Sequence, residues 1–182
     1  MPYFNWNDSI NFLNKLSIRR LWNAAKVYSS YQLTRLTGRP VQWGYPVSIS
    51  FEPTTSCNLR CPECPSGLRA FTRPTGMLEN SFFRQTIDDI HNELLYLISY
   101  FQGEPYLNPD FLNMVKYAQN KGLYTATSTN AHSLTDEKAK QTIASGLARL
   151  IISFDGTKPA VYQPSRVGGN LGKGQDGAGN MG

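Results

Sequence analysis

From residue 47 the chain alternates between two hydrophobic periods. Val47, Ile49 and Phe51 alternate with serines, which marks a short strand; residues 95–101 form a compact apolar second strand, residues 124–129 a threonine-rich third and residues 150–154 a fourth. Helical spacing fills the intervals. Residues 80–94 carry Phe83, Ile87 and Ile90. Asn108-Pro109 precedes Phe111, Met114, Val115 and Ala118, a run that Lys121-Gly122 closes, and Thr135 opens a third helix reaching about Ser145-Gly146. Strands joined by single helices require right-handed crossovers and a parallel sheet, so the pattern predicts an α/β fold.

Upstream, residues 8–37 predict one long helix. Asn7 or Asp8 can cap its start, Gly38 suits a left-handed C-terminal residue, and Pro40 prevents continuation. Ile10, Leu13, Leu21, Ala24, Tyr28 and Tyr31 would form its apolar face, leaving Arg19, Arg20 and Lys26 to solvent or a partner. The pattern favours a helix packed on the outside of the domain. A basic surface for an anionic membrane or for a substrate peptide is the alternative, and the sequence does not separate these readings.

In a parallel sheet the segments that follow the strands share one rim, where α/β folds build their sites. Strand one is followed by Cys57-Asn58-Leu59-Arg60-Cys61-Pro62-Glu63-Cys64, which holds every cysteine of the chain. Strand two is followed by Gly103-Glu104-Pro105, strand three ends at Thr129-Asn130, and strand four ends at Ser153 and Asp155. Three thiolates in one short loop can turn onto a single inorganic object, and thiolates suit soft metals and iron-sulfur clusters. With no fourth cysteine, one coordination position stays open, as in reactive sites and unlike structural ones.

Charge changes this picture little. The formal net charge is +5, but six cations lie before residue 52 against Asp8 alone, so the excess belongs mainly to the N-terminal segment and no nucleic-acid partner is expected. Three cysteines in one loop are not a disulfide framework, which points to a reducing, cytoplasmic setting. Residues 1–10 lack an apolar signal core, and the apolar run 94–101 is far too short for a transmembrane segment.

The C-x3-C-x2-C loop, the Gly103-Glu104-Pro105 turn and Ser153-Phe154-Asp155-Gly156 resemble the radical S-adenosylmethionine (radical SAM) enzymes. The string from Glu52 to Cys61 is most similar to the branch that carries a C-terminal SPASM domain, including peptide maturases and anaerobic sulfatase maturases. The resemblance covers roughly residues 45–170. It implies a partial parallel (β/α) barrel with about four of six strand-helix units. It also implies that Cys57, Cys61 and Cys64 hold three irons of a [4Fe-4S] cluster whose fourth iron chelates S-adenosylmethionine. One electron from a flavodoxin- or ferredoxin-like reductant would then cleave the sulfonium bond and release a 5′-deoxyadenosyl radical for hydrogen abstraction from a substrate, in this branch a peptide or protein. By the same resemblance Gly103, Glu104 and Pro105 would engage a cationic amino group through backbone carbonyls and the Glu104 carboxylate. Asn130, Ser153 and Asp155 would contact the ribose or carboxylate of the cofactor, although each also fits a plain cap or turn role. No catalytic residue is singled out.

The family pattern is departed from in two places. Pro62-Glu63 stands between the second and third cysteines, where an aromatic residue is common, and the chain holds no fifth or sixth strand and no SPASM cysteines. Residues 168–182 are glycine-rich and nearly devoid of apolar side chains, a composition for disorder. The expected organisation is therefore a basic amphipathic helix over residues 1–45, a partial radical SAM core over 46–167 and a disordered tail over 168–182. A fragment of a longer enzyme, with an altered reading frame near residue 172, is the corresponding expectation. The competing function is a non-catalytic metal-binding protein or inactive remnant, with zinc held by the cysteines and His91 or His132, or with an electron-transfer cluster.

Overall fold

The computed structural model describes residues 6–181; residues 1–5 of the N-terminal segment and residue 182 of the tail lie outside the described residues. Its centre is a four-stranded sheet: β1 (Ser48–Ser50), β2 (Tyr96–Ile98), β3 (Tyr124–Thr129) and β4 (Arg149–Ile152), in sequential order and all parallel. Ile49 pairs with Leu97, Leu97 with Thr125, and Thr127 with Leu150. Sequential order without reversal is the winding of a (β/α) barrel, whereas a doubly wound sheet changes direction at its centre. The α/β class and the partial-barrel architecture follow.

The crossovers are α4 (Asn80–Ile90), α5 (Phe111–Asn120) and α6 (Asp136–Ala144), preceded by α1 (Trp6–Leu13), α2 (Ile18–Thr37) and the short α3 (Pro65–Leu68). Helix α5 turns Phe111, Met114, Val115 and Ala118 inward at the spacing of one helical face. Phe51, Phe83, Ile87, Leu94, Leu97, Met114, Ala118 and Leu123 form the main core between α4, α5 and the sheet. Each of the phenylalanine, leucine, isoleucine and methionine side chains, fully buried, contributes about 1.5–3 kcal/mol relative to exposure. Thr135 caps α6 as its sequence predicts, accepting from the Lys138 N–H.

Four expectations are corrected. Residues 8–37 are not one helix: α1 ends at Leu13, and α2 begins afresh behind Ser17, whose hydroxyl accepts from the Arg20 N–H. Helix α2 does close at Gly38 in the left-handed conformation. It also packs the other way round. Arg20 is buried and donates to the carbonyls of Lys15, His91, Lys121 and Gly122, while Leu21, Tyr28 and Tyr31 are exposed. Helix α5 starts behind Asp110 and not at Pro109, because Pro105–Leu107 form a 3₁₀ turn and Asn108 turns its amide to the carbonyls of Pro53 and Leu78.

The fourth correction concerns the tail. After α7 (Pro159–Ser165) the chain forms α8 (Leu171–Gly179), capped by Asn170, which accepts from the Lys173 N–H. Its glycines permit close approach: a Cβ on Gly177 would stand 2.1 Å from the Ala131 carbonyl oxygen. A composition that suits disorder here serves contact between backbones.

Candidate functional site

The cysteine loop leaves β1 and is fastened at its base before the first thiol appears. Thr55 N–H donates to the Gly76 carbonyl and Gly76 N–H returns to the Thr55 hydroxyl, beside an antiparallel bridge between Thr54 and Met77. Leu59, buried at the middle of the loop, pins it to the body. Cys57, Cys61 and Cys64 are free and half-buried around it. Cys57 Sγ accepts from the Leu59 N–H at 3.4 Å. Burial pushes the Cys57 thiol up from its ordinary value, against the Leu59 hydrogen bond that favours the thiolate.

The Gly103-Glu104-Pro105 turn at the end of β2 is bolted onto that loop. Glu104 N–H donates to the Ser56 carbonyl at 2.8 Å and Gly103 N–H to the Ser66 hydroxyl at 2.9 Å. Gly103 adopts a φ of 77°, and a Cβ there would fall 2.0 Å from the Thr54 carbonyl oxygen, so only glycine lets the two segments meet. Gln102 completes the junction, its side-chain oxygen accepting from the Cys64 thiol at 3.3 Å and from the Ser66 hydroxyl at 3.2 Å.

Glu104 is 2 % exposed. Its Oε1 accepts from the Thr129 hydroxyl at 2.7 Å and the Tyr106 N–H at 3.4 Å, and its Oε2 from the Asn130 N–H at 2.9 Å. Burial raises its pKa, and those three donors oppose the rise without cancelling it. The carboxylate expected to meet an amino group is thus engaged in holding the end of β3. Asn130, positioned by it, donates from Nδ2 to the Asn58 side chain at 2.8 Å and so reaches back to the cysteine loop.

Ser153 and Asp155 follow β4. The Ser153 hydroxyl pairs with that of Ser128 on β3 at 2.9 Å. Asp155 is clasped by Arg166, with Nε 2.5 Å and Nη2 3.2 Å from its two oxygens, while Arg166 Nη1 lies 3.9 Å from Cys61 Sγ. Arg60 N–H donates to the Val167 carbonyl at 2.7 Å, which ties the same segment to the loop. Arg166, Gln102 and Ser128 were not foreseen from sequence. Gln102 adjoins a motif and Ser128 ends a strand pattern, but a lone arginine outside any periodic segment gives no signal.

Cys57, Cys61, Cys64, Gly103, Glu104, Asn130, Ser153 and Asp155 line one cavity of about 680 Å³, together with Arg166. That volume lies within the range of small-ligand sites, about 300–1,000 Å³. Pro105 is not on its wall; it is buried and begins the 3₁₀ turn. Among the described residues no three His, Cys, Asp or Glu groups converge closely enough to grip one ion. His91 sits at the end of α4 and His132 faces Asn130 and α8, so neither completes a zinc shell with the cysteines. A cubane cluster takes its thiolates at three separate irons, and sulfurs standing apart on one cavity wall fit that larger object.

Comparison with known proteins agrees with this geometry. The family model described as Radical SAM superfamily matches residues 51–173. The PqqA peptide cyclase of Rhodopseudomonas palustris is 29% identical over 130 residues, which cover 71% of this chain and 34% of the cyclase. The AdoMet-dependent heme synthase of Methanosarcina barkeri is 30% identical over 121 residues, 66% of this chain and 34% of the synthase. The chain therefore spans about a third of the length of these curated relatives. Among solved structures, native anSMEcpe with bound AdoMet superposes with a TM-score of 0.62 at 20% identity, over 75% of this chain and 40% of that one, a likeness of fold.

Proposed function

We propose a function from one premise: this chain belongs to the radical SAM superfamily, whose members use a [4Fe-4S] cluster and S-adenosylmethionine. In this reading Cys57, Cys61 and Cys64 hold the cluster, and S-adenosylmethionine occupies the cavity beside them. Backbone groups of Gly103 and Glu104, with the Asn130 and Ser153 side chains, offer it polar partners. Held by these three cysteines, such a cluster would supply the chemistry of reductive sulfonium cleavage and, through it, hydrogen abstraction from a substrate.

The chain's own residues do the rest. Glu104 fixes Asn130 through its backbone N–H, and the Ser56 and Ser66 bonds to the Gly-Glu-Pro turn hold the cysteine loop against the cofactor wall. Pro62, Tyr100 and Phe101 add apolar wall to the same cavity, which limits water around a reactive species. Arg166 keeps a positive charge beside Cys61 and orients Asp155. Asp155 is then a partner of Arg166 first and a cofactor contact only through whatever face that pairing leaves open.

A peptide or protein is the proposed substrate class, supported by the peptide named for the Rhodopseudomonas relative; the heme synthase, at similar identity, shares the cofactor chemistry and not the substrate. A flavodoxin- or ferredoxin-like protein is the proposed electron donor. Among the described residues no helix is long and apolar enough to cross a membrane.

What carries this reading is the meeting of the three-cysteine loop and the three other rim segments on one cavity wall. Anaerobic reconstitution with iron and sulfide tests it. The expected product binds about four irons per chain, loses them on Cys57→Ala, Cys61→Ala or Cys64→Ala, and changes its reduced electron-paramagnetic-resonance spectrum when S-adenosylmethionine is added. An unchanged spectrum in a fully loaded protein would refute the cofactor site. Formation of 5′-deoxyadenosine that a peptide accelerates would support the substrate class.

A further inference from the structure

Helix α2 is docked with its polar side inward. Arg20, Asn23 and Ser30 are buried, and the first two bind carbonyls of residues 91, 93, 121 and 122. These lie in the loops entering β2 and β3, at the rim opposite the cysteine loop. The outward side carries Ile18, Leu21, Trp22, Tyr28 and Leu36, exposed by 88%, 50%, 67%, 65% and 84%. Their spacing of i, i+3, i+4, i+10 and i+18 places them on one side of the helix, which Ser29 and Gln32 interrupt between Tyr28 and Leu36. The segment that follows adds exposed Trp43 and Tyr45. All three tryptophans of the chain, Trp6, Trp22 and Trp43, are in this N-terminal part and more than half exposed.

Cations border the stripe on both sides. Lys26 and Arg19 lie on one flank and Arg35 on the other, with Arg39 just past the helix; Arg19 is paired with Glu93. Asp8 is the sole acidic residue between positions 6 and 45, and it is held by Tyr124 and Arg149.

We propose that this face of α2, with Trp43 and Tyr45, is a docking surface for an anionic lipid bilayer, on which the protein rests peripherally. The proposal is independent of the cofactor reading. A stripe rich in tryptophan and tyrosine suits the headgroup boundary, where an aromatic body is buried and its polar atom stays wet. Flanking lysine and arginine can lay their stems along the apolar stripe and direct their charges to lipid phosphates. A second copy of this chain is a poorer occupant, because a two-fold contact would set each stripe's cations against their own copies. The docking also leaves the cofactor cavity accessible, since α2 is fastened to the opposite rim.

The tryptophans supply the measurement. The protein is titrated with phosphatidylcholine vesicles containing about 30 mol% phosphatidylglycerol at low salt. The expected result is a blue shift of tryptophan emission, co-sedimentation with the vesicles, and at least about tenfold weaker binding once the salt is high enough to shorten the Debye length several-fold. Purely phosphatidylcholine vesicles bind far more weakly. Leu21→Ser with Trp22→Ser removes most of the binding, as does Lys26→Glu with Arg35→Glu, which keeps the stripe and reverses its border. Circular dichroism confirms that each variant is folded. Failure to bind anionic vesicles would overturn the proposal, as would equal binding to neutral ones. So would a concentration-dependent dimer that already shields the tryptophans without lipid.

Discussion

Arg166 spans two groups at once: Nη1 stands 3.9 Å from Cys61 Sγ while Nε and Nη2 grip the carboxylate of Asp155. A positive charge next to a cluster ligand stabilises the reduced, more negative state of that cluster. In the reconstituted protein Arg166→Gln should lower the reduction potential by an amount on the order of tens of mV, and Asp155→Asn should raise it by less. A redox titration followed by electron paramagnetic resonance reads both. Shifts of the same sign would contradict the electrostatic account.

Glu104 should link the cavity wall to pH. Its pKa is raised by burial, so the folded chain favours its neutral form more than the unfolded chain does. The stability it contributes is fully present below the unfolded value, near 4.5, and is lost as pH rises through the higher folded value. Glu104→Gln, which misplaces an amide donor against the Asn130 or Thr129 donors, should cost about 1–3 kcal/mol at pH 4 and progressively less as pH rises. Urea midpoints of both proteins from pH 4 to 8 check this; parallel curves would exclude Glu104 as the titrating group.

Arg20 anchors α2 through four backbone carbonyls. Burial lowers its pKa, with Glu93 acting the other way, yet the group stays a cation at any working pH. Arg20→Met should destabilise the protein by about 2–4 kcal/mol, because carbonyls of the two loops lose their donors. Arg20→Lys should recover little of that, since an ammonium cannot reach all four in one plane. Chemical unfolding gives the cost, and proteolysis within α2 reports its detachment.

Gly177 tests the ordered tail. Gly177→Ala places a methyl within 2.1 Å of the Ala131 carbonyl and should cost about 1–3 kcal/mol or release α8. Gly179→Ala meets nothing within 4 Å and should leave the tail as it was. Limited proteolysis at Lys173 distinguishes the two variants.

How far the sequence carried depends on what each residue answers to. The residues 124–129 strand coincides with β3, and Thr135 caps α6, because strand alternation and capping are local properties. The cysteine loop and the Gly-Glu-Pro turn were legible because their spacing is itself a constraint. The orientation of α2 was not: amphipathicity identifies an apolar side but not which side meets the body, and here the partners of Arg20 are carbonyls of residues 91, 121 and 122, far along the chain. Glu104 was noticed for its position at the strand end, but its structural bonds were not. Its carboxylate is spent on Thr129, Tyr106 and Asn130, a debt that appears only when β2 and β3 lie side by side.

The bonds of Asp8 impose an order of events during synthesis. Tyr124 and Arg149, which receive it, lie 116 and 141 residues downstream. At about 5–20 residues per second, the first helix leaves the ribosome on the order of ten seconds before its seat exists. Helix α1 is therefore among the last elements to settle, since Tyr124 on β3 and Arg149 on β4 must be in place before Asp8 can reach them.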